Sequence, residues 1–241
     1  MREAKRRSAW SAPDEAYERG CRALLDRWLD RQGEACTALG GFVTRIAAAA
    51  AVNGLAQTLL KLTAPGIPDV YQGTEAWDWS LVDPDNRAPV DFDSRETSQR
   101  AADPPAALLA EWRDGRVKQA VIARALALRA ERPRAFAEGY TPLAVAGERA
   151  RHVLAFARGE GVGAVIVAVT RLPTRMLGDA ALPLAPPERW EDTAVELPDS
   201  LRGTGMRDVL VGSSLPAAGG SVLVRDAFSR LPVALLVADQ R

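Results

Sequence analysis

Apolar and polar positions follow first a helical and then a strand-like period along the chain. From about Asp14 to Asp30, Tyr17, Leu24, Leu25 and Trp28 form one stripe at helical spacing. Ser11, Ala12 and Pro13 open that helix, with Asp14 and Glu15 in the first turn, where the peptide dipoles favour negative charge. A second helix is expected from about Glu34 to Leu62, with Phe42, Ile46, Val52, Leu55, Leu59 and Leu60 set among many alanines. Small residues on nearly all of its sides predict burial between other elements. PGIPDVYQG follows as a Pro-Gly stop, a short strand at Val70 and Tyr71, and a sharp exit at Gly73. The next stretch, GTEAWDWSLVDPDNRAPVDFDSRETSQRAADPP, reads as one long loop, too extended and too rich in Asp and Pro for an element of its own. Loops of that length inside compact domains usually carry function. GRVKQAVIARALALRAERP then predicts an amphipathic helix ending near Pro133, with Val117, Val121, Leu126 and Leu128 among its apolar positions.

Beyond Pro133 the texture changes to short β-rich runs broken by glycine: TPLAVAG, RHVLAFARG, VGAVIVAVT, TAVELP, MRDVLVG, GGSVLVRD and PVALLVAD. Such runs, separated by turns, predict an antiparallel sheet or sandwich. A domain boundary is therefore expected near residue 134, giving segments 1–133 and 134–241. Gly219-Gly220 reads as a hairpin turn.

Composition narrows the function classes. The 241 residues are 47% apolar and 26% charged, which suits a soluble globular protein with one large core or two smaller ones. Thirty-one basic residues balance thirty-one acidic ones, so no footprint for nucleic acid is expected and the partner should be neutral. The N-terminal stretch has no apolar core of a secretion signal, and the longest apolar run, Ile46 to Leu62, is interrupted by Asn53, Gln57 and Lys61. No membrane partner is expected, and the cytoplasm is the default location. Cys21 and Cys36 have neither the number for a disulfide framework nor the spacing for zinc. His152 is the one histidine, expected at a surface or half-buried strand position, so a metal site or a nucleophile triad is not expected.

The string GIPDVYQGTE, Gly66 to Glu75, resembles the segment that forms the eighth barrel strand and its exit in the α-amylase superfamily. Its continuation, WDWSLVDPDNRAPVDFDSR, is similar to the corresponding loop of maltooligosyl trehalose synthases, which carries a Trp, a short apolar stretch, DPDNR, Pro, Val and Asp. REAKRRSAWSAPDEAYE and RVKQAVIARALALRAERPRAF resemble two further segments of that family, the second its last barrel helix. The likeness departs at Arg7, Ser8 and Ala9, where the family pattern is closer to His-Thr-Ser.

The resemblance implies an α/β plus all-β chain: the last βα part of a truncated (β/α)8 barrel over 1–133, then a C-terminal antiparallel β-sandwich domain over 134–241. It also implies a retaining transfer within one maltooligosaccharide, turning the reducing-end α-1,4 linkage into α,α-1,1, without a cofactor. That chemistry needs a nucleophilic carboxylate and a protonated acid about 5 to 5.5 Å apart. In the family these stand on earlier barrel strands, so no catalytic residue is expected here, and the preceding barrel polypeptide becomes an expected partner. A whole barrel takes about 250 residues by itself.

Substrate contacts are expected from the loop after the eighth strand. Asp83, Asp85, Asn86 and Arg87 can bind paired hydroxyls, or Arg87 can tie a self-supporting loop by ion pairs. Of Trp77 and Trp79, one is expected as a sugar platform and the other as core. Gln72 and Glu75 can face the barrel mouth, although a strand-end acid as often anchors the next loop. Two other readings stay open: a hydrolase or transglycosylase of the wider superfamily, and a binding or structural role for the β domain.

Overall fold

The Asp14 carboxylate accepts the amide of Tyr17 at 2.9 Å and so caps helix α1, Glu15–Trp28. In this computed structural model, residues 1–81, 83–216 and 219–239 are described; Val82, inside the motif-bearing loop, lies outside them. Backbone proximity divides the chain into two units, Met1–Ala47 and Ala48–Arg241.

In the first unit the N-terminal segment is pinned to α1. Arg2 donates twice to Glu18, each time at 2.7 Å, and the Ser8 hydroxyl also donates to Glu18 while accepting the amide of Asp14 at 3.1 Å. Arg2, followed by Ser8, stabilises the ionised form and holds the Glu18 carboxyl at about 2. Ser8, where the family likeness breaks, is thus a buried structural residue. Both cysteines are free thiols.

Helix α2, Glu34–Thr63, carries its buried residues from Ala48 onward, among them Val52, Leu55, Leu59 and Leu62. By length and composition, with a mean hydropathy of 1.5, α2 could cross a membrane. Its second half, however, belongs to the core of the second unit: Ala48, Ala49 and Val52 cluster with Leu177. Alanines permit that close approach.

After α2, residues 67–71 form no strand, contrary to expectation. A barrel strand exists through its ladder to neighbouring strands, and none of the described residues offers one here. The long segment that follows is not a single loop either. It contains helix α3, Phe92–Ala101, whose cap is Asp91, accepting the amide of Ser94 at 2.9 Å, and the short α4, Pro105–Leu108. Glu96 and Arg100, one turn apart and 2.5 Å from each other, support α3. Helices α5, Arg116–Glu131, and α6, Pro133–Ala137, complete the helical stretch.

The β-rich remainder holds β1 (Tyr140–Pro142), β2 (Val145–Ala146), β3 (Val153–Arg158), β4 (Val165–Thr170), helix α7 (Thr174–Leu177), β5 (Ala194–Glu196), β6 (Met206–Asp208), β7 (Ser214–Leu215), β8 (Ser221–Leu223), helix α8 (Val224–Ala227) and β9 (Val233–Ala238). One sheet has the order β1-β3-β4-β9-β6-β7 and the other β2-β5-β8, with every pairing antiparallel. Among the described residues there are helices and antiparallel sheets, and no closed barrel. Strands β4 and β9 are buried at every position, which is why VIVAVT and VALLVA are continuous apolar runs and not alternating ones. Ile166, Ala168, Leu236 and Trp190 belong to the main core cluster, and Trp190 meets Phe228 edge-on at 5.3 Å.

Two further expectations are corrected. His152 is buried in a short turn before β3, with Nδ1 3.1 Å from the carbonyl of Leu172, so it is a satisfied core residue. Gly219-Gly220 is no hairpin: the strand before it, β7, and the strand after it, β8, lie in different sheets, and the glycines serve a crossover.

Candidate functional site

The motif-bearing segment folds against α5. Thr74 turns back on Tyr71, its amide and its hydroxyl donating to that carbonyl at 3.0 and 2.7 Å. The turn requires Gly73, which has φ of 88° and whose absent Cβ would stand 2.8 Å from Val90 Cγ2. Lys118 on α5 then donates to the carbonyls of Thr74 and Ala76 at 2.7 and 3.0 Å. Close approach of α5 depends on Gly115, where a Cβ would come within 2.7 Å of the Trp77 amide nitrogen.

The two tryptophans separate clearly. Trp77 donates its indole N–H to the carbonyl of Trp112 at 2.6 Å and packs over Gly54, whereas Trp79 is 84% exposed. A polar cleft of about 280 Å³ opens beside Trp77, lined among others by Gln72, Asp78, Asp85, Asn86 and Arg95. Of the residues expected from sequence, Gln72, Trp77, Asp85 and Asn86 therefore share one cleft.

The others do not join it. Asp83 and Arg87 are exposed and grip each other through two contacts of 2.5 and 3.0 Å, which ties the loop across the short helical turn Asp85–Arg87. Glu75 lies 4.0 Å from the Arg95 guanidinium. Arg95 and Asp78 were not anticipated. Arg95 projects from the first turns of α3, and with this segment read as loop there was no helix face on which to place it.

The carboxylates of the cleft act as acceptors for the chain itself. Asp78 takes the amide and hydroxyl of Ser80, both at 2.9 Å, and these bonds, the backbone one foremost, hold it below the usual carboxylate range. Asp85 accepts the amide of Leu81 at 2.5 Å, and Asp91 caps α3. All three carboxylates are thus occupied as acceptors for groups of the same loop. The cleft is equipped to bind polar hydroxyls through Gln72, Asn86 and Arg95, with an aromatic edge beside them. Among the described residues no three His, Cys, Asp or Glu side chains are grouped to hold a metal ion.

No protein-family model matches the chain. A protein of Mycobacterium tuberculosis (strain CDC 1551 / Oshkosh) described as a maltooligosyl trehalose synthase is 38% identical over 240 residues, covering 99% of this chain and 27% of that relative. The structure of maltooligosyltrehalose synthase from Arthrobacter ramosus matches with a TM-score of 0.78 at 37% identity, covering 99% of this chain and 29% of the other. A hypothetical maltooligosyl trehalose synthase from Sulfolobus tokodaii, 24% identical with a TM-score of 0.66 over 98% of this chain and 27% of its own, shares the fold. The chain spans between a quarter and a third of the length of the relatives it matches.

Proposed function

From the premise that this chain is a relative of the C-terminal portion of maltooligosyl trehalose synthases over nearly its whole length, we infer that its cleft is one wall of a maltooligosaccharide site whose reacting acids belong to other polypeptide. The reaction served is the intramolecular transfer that converts a reducing-end α-1,4 linkage to α,α-1,1 in trehalose biosynthesis. The observation that carries this reading is the cleft itself: the GIPDVYQGTE and DPDNR motifs fold into a polar groove whose acids are all engaged in holding the loop.

In this reading residues 1–133 are the last βα part of a (β/α)8 barrel and 134–241 a β-sandwich domain. Active sites of such barrels are built from loops at the C-terminal ends of the strands, where segment 72–91 would lie. The partner is the remaining barrel polypeptide. Leu24, Leu25 and Trp28 on α1, and Phe42, Val43 and Ile46 in the first half of α2, are exposed apolar side chains of the kind such a partner covers. The β domain is structural in this account, since Trp190, the aromatic residue best suited to a sugar platform there, is buried. Two free thiols suit a reducing, cytoplasmic setting.

The test is direct. The 241-residue chain alone should leave maltopentaose unchanged, and the chain combined with polypeptide equivalent to the rest of a relative's length should produce maltotriosyl trehalose. Turnover by the chain alone would overturn the assignment of the reacting acids elsewhere. A combined preparation that hydrolyses maltopentaose to shorter sugars would favour a hydrolase of the wider superfamily.

A further inference from the structure

Segment 74–77 belongs to no helix ladder and no sheet, so its shape depends on what meets its carbonyls. Lys118 supplies that from 44 and 42 positions away: one ammonium donates to both Thr74 and Ala76 and lies 5.8 Å from the centroid of the Trp77 ring. Burial lowers its pKa below the ordinary amine value, with Lys61 and Arg95 acting in the same direction and Asp78 and Glu75 opposing. Lys118 does not itself line the cleft, whereas Gln72, Gly73, Trp77 and Asp78, at either end of the segment it holds, do.

We propose that Lys118 is a positioning residue for the cleft, fixing the segment from Thr74 to Trp77 so that Gln72, Trp77 and Asp78 stand along one wall, and that it sets saccharide affinity without touching the sugar. The proposal rests on the saccharide reading of the cleft. A side chain at 118 that cannot donate leaves two carbonyls without their partner and frees the Trp77 ring to shift. Arginine keeps the charge and can donate to more than one acceptor, so it restores part of the geometry.

Two readouts on the 241-residue chain separate the possibilities: the indole N–H proton resonance of Trp77, and a maltopentaose titration followed by NMR. Lys118→Met is expected to move the Trp77 resonance and to weaken maltopentaose binding about tenfold. Lys118→Arg should recover affinity to within about threefold, with the β4 amides equally protected from exchange in every variant. An unmoved resonance with unchanged affinity in Lys118→Met, or no recovery in Lys118→Arg, overturns the role of Lys118. Should Lys118→Met fail to fold, Lys118→Leu, which likewise cannot donate, is read the same way. Absence of binding by the unsubstituted chain sinks the saccharide reading alone, because the Trp77 resonance still decides whether Lys118 holds the segment.

Discussion

Arg158 in β3 donates from Nη1 to the carbonyl of Thr63, the last residue of α2, over 2.9 Å and 95 positions of sequence. The same guanidinium serves the carbonyls of Gly139, at 2.9 Å, and of Phe136. One buried cation thus fastens the end of the helix that leads into the cleft segment to the sheet, through hydrogen bonds to main-chain carbonyls. Burial lowers its pKa, and an arginine remains charged regardless.

Arg158→Met should therefore destabilise the fold by about 3 kcal/mol, since three carbonyls lose a charge-assisted donor together. Arg158→Lys should lose nearly as much, because an ammonium lacks the fork that reaches carbonyls in three directions. Denaturant unfolding followed by circular dichroism checks both; a loss under 1 kcal/mol in Arg158→Met would show that the carbonyls find other donors.

Asp208 in β6 gives the fold a pH dependence. Burial pushes its carboxyl from 3.8 up to about 7, against the opposing effect of backbone donors such as Leu210 at 2.9 Å and Leu235 at 3.3 Å. The folded chain then keeps the proton while the unfolded chain releases it, so stability is greatest at or below pH 4 and declines as pH rises towards 7. The whole effect is at most about 4 kcal/mol, at roughly 1.4 kcal/mol per pH unit. Asp208→Asn should flatten the decline between pH 5 and pH 7 in thermal unfolding; an identical decline in the variant would assign it to another group.

Glu18 behaves oppositely. With its carboxyl held near 2, the clamp to Arg2 and Ser8 should be intact above the ordinary value of 4.5 and should open only as pH falls through about 2. Arg2→Ala should return the Glu18 midpoint towards 4.5, as read by carbon-13 NMR of the carboxyl. A midpoint unmoved by that substitution would mean that Arg2 is not the source of the shift.

The two tryptophans should part ways on substitution. Trp77→Ala removes a ring packed over Gly54 and tied to Trp112 and should cost about 3 kcal/mol of stability. Trp79→Ala, at a site 84% exposed, should change stability by no more than about 0.5 kcal/mol. If Trp79 is the sugar platform, the same variant should bind maltopentaose several-fold less tightly while unfolding as before. Unchanged affinity would show that Trp79, outside the cleft, takes no part in saccharide binding.

Much of this was legible in the residues because the signals were local. The antiparallel runs at VIVAVT and VALLVA, and the helices α1, α2 and α5, follow from apolar spacing; Asp14, read as a first-turn acid, is the cap of α1. Helix α3 was hidden because DFDSRETSQR has a single large apolar residue, so its helicity rests on the Asp91 cap and on charge pairs and not on an apolar stripe. His152 was misplaced for a different reason: a lone polar residue carries no sign of the carbonyl that satisfies it, here Leu172 from a distant turn. The strand at Val70 and Tyr71 was expected from its motif, yet a strand is a property of at least two segments. Within the cleft, Asp85, Asn86, Gln72 and Trp77 were readable from the motif, whereas Arg95, and Lys118 behind the cleft wall, came from folded helices whose faces the motif does not specify.

The ribbon around Ile67 has a practical side. With that isoleucine 97% exposed and residues 67–71 without ladder partners, it offers an unpaired backbone open to protease active sites and to stray strands. Limited digestion would cut there first, parting α2 from the cleft and sheets, so the integrity of this short stretch sets the shelf life of the purified chain.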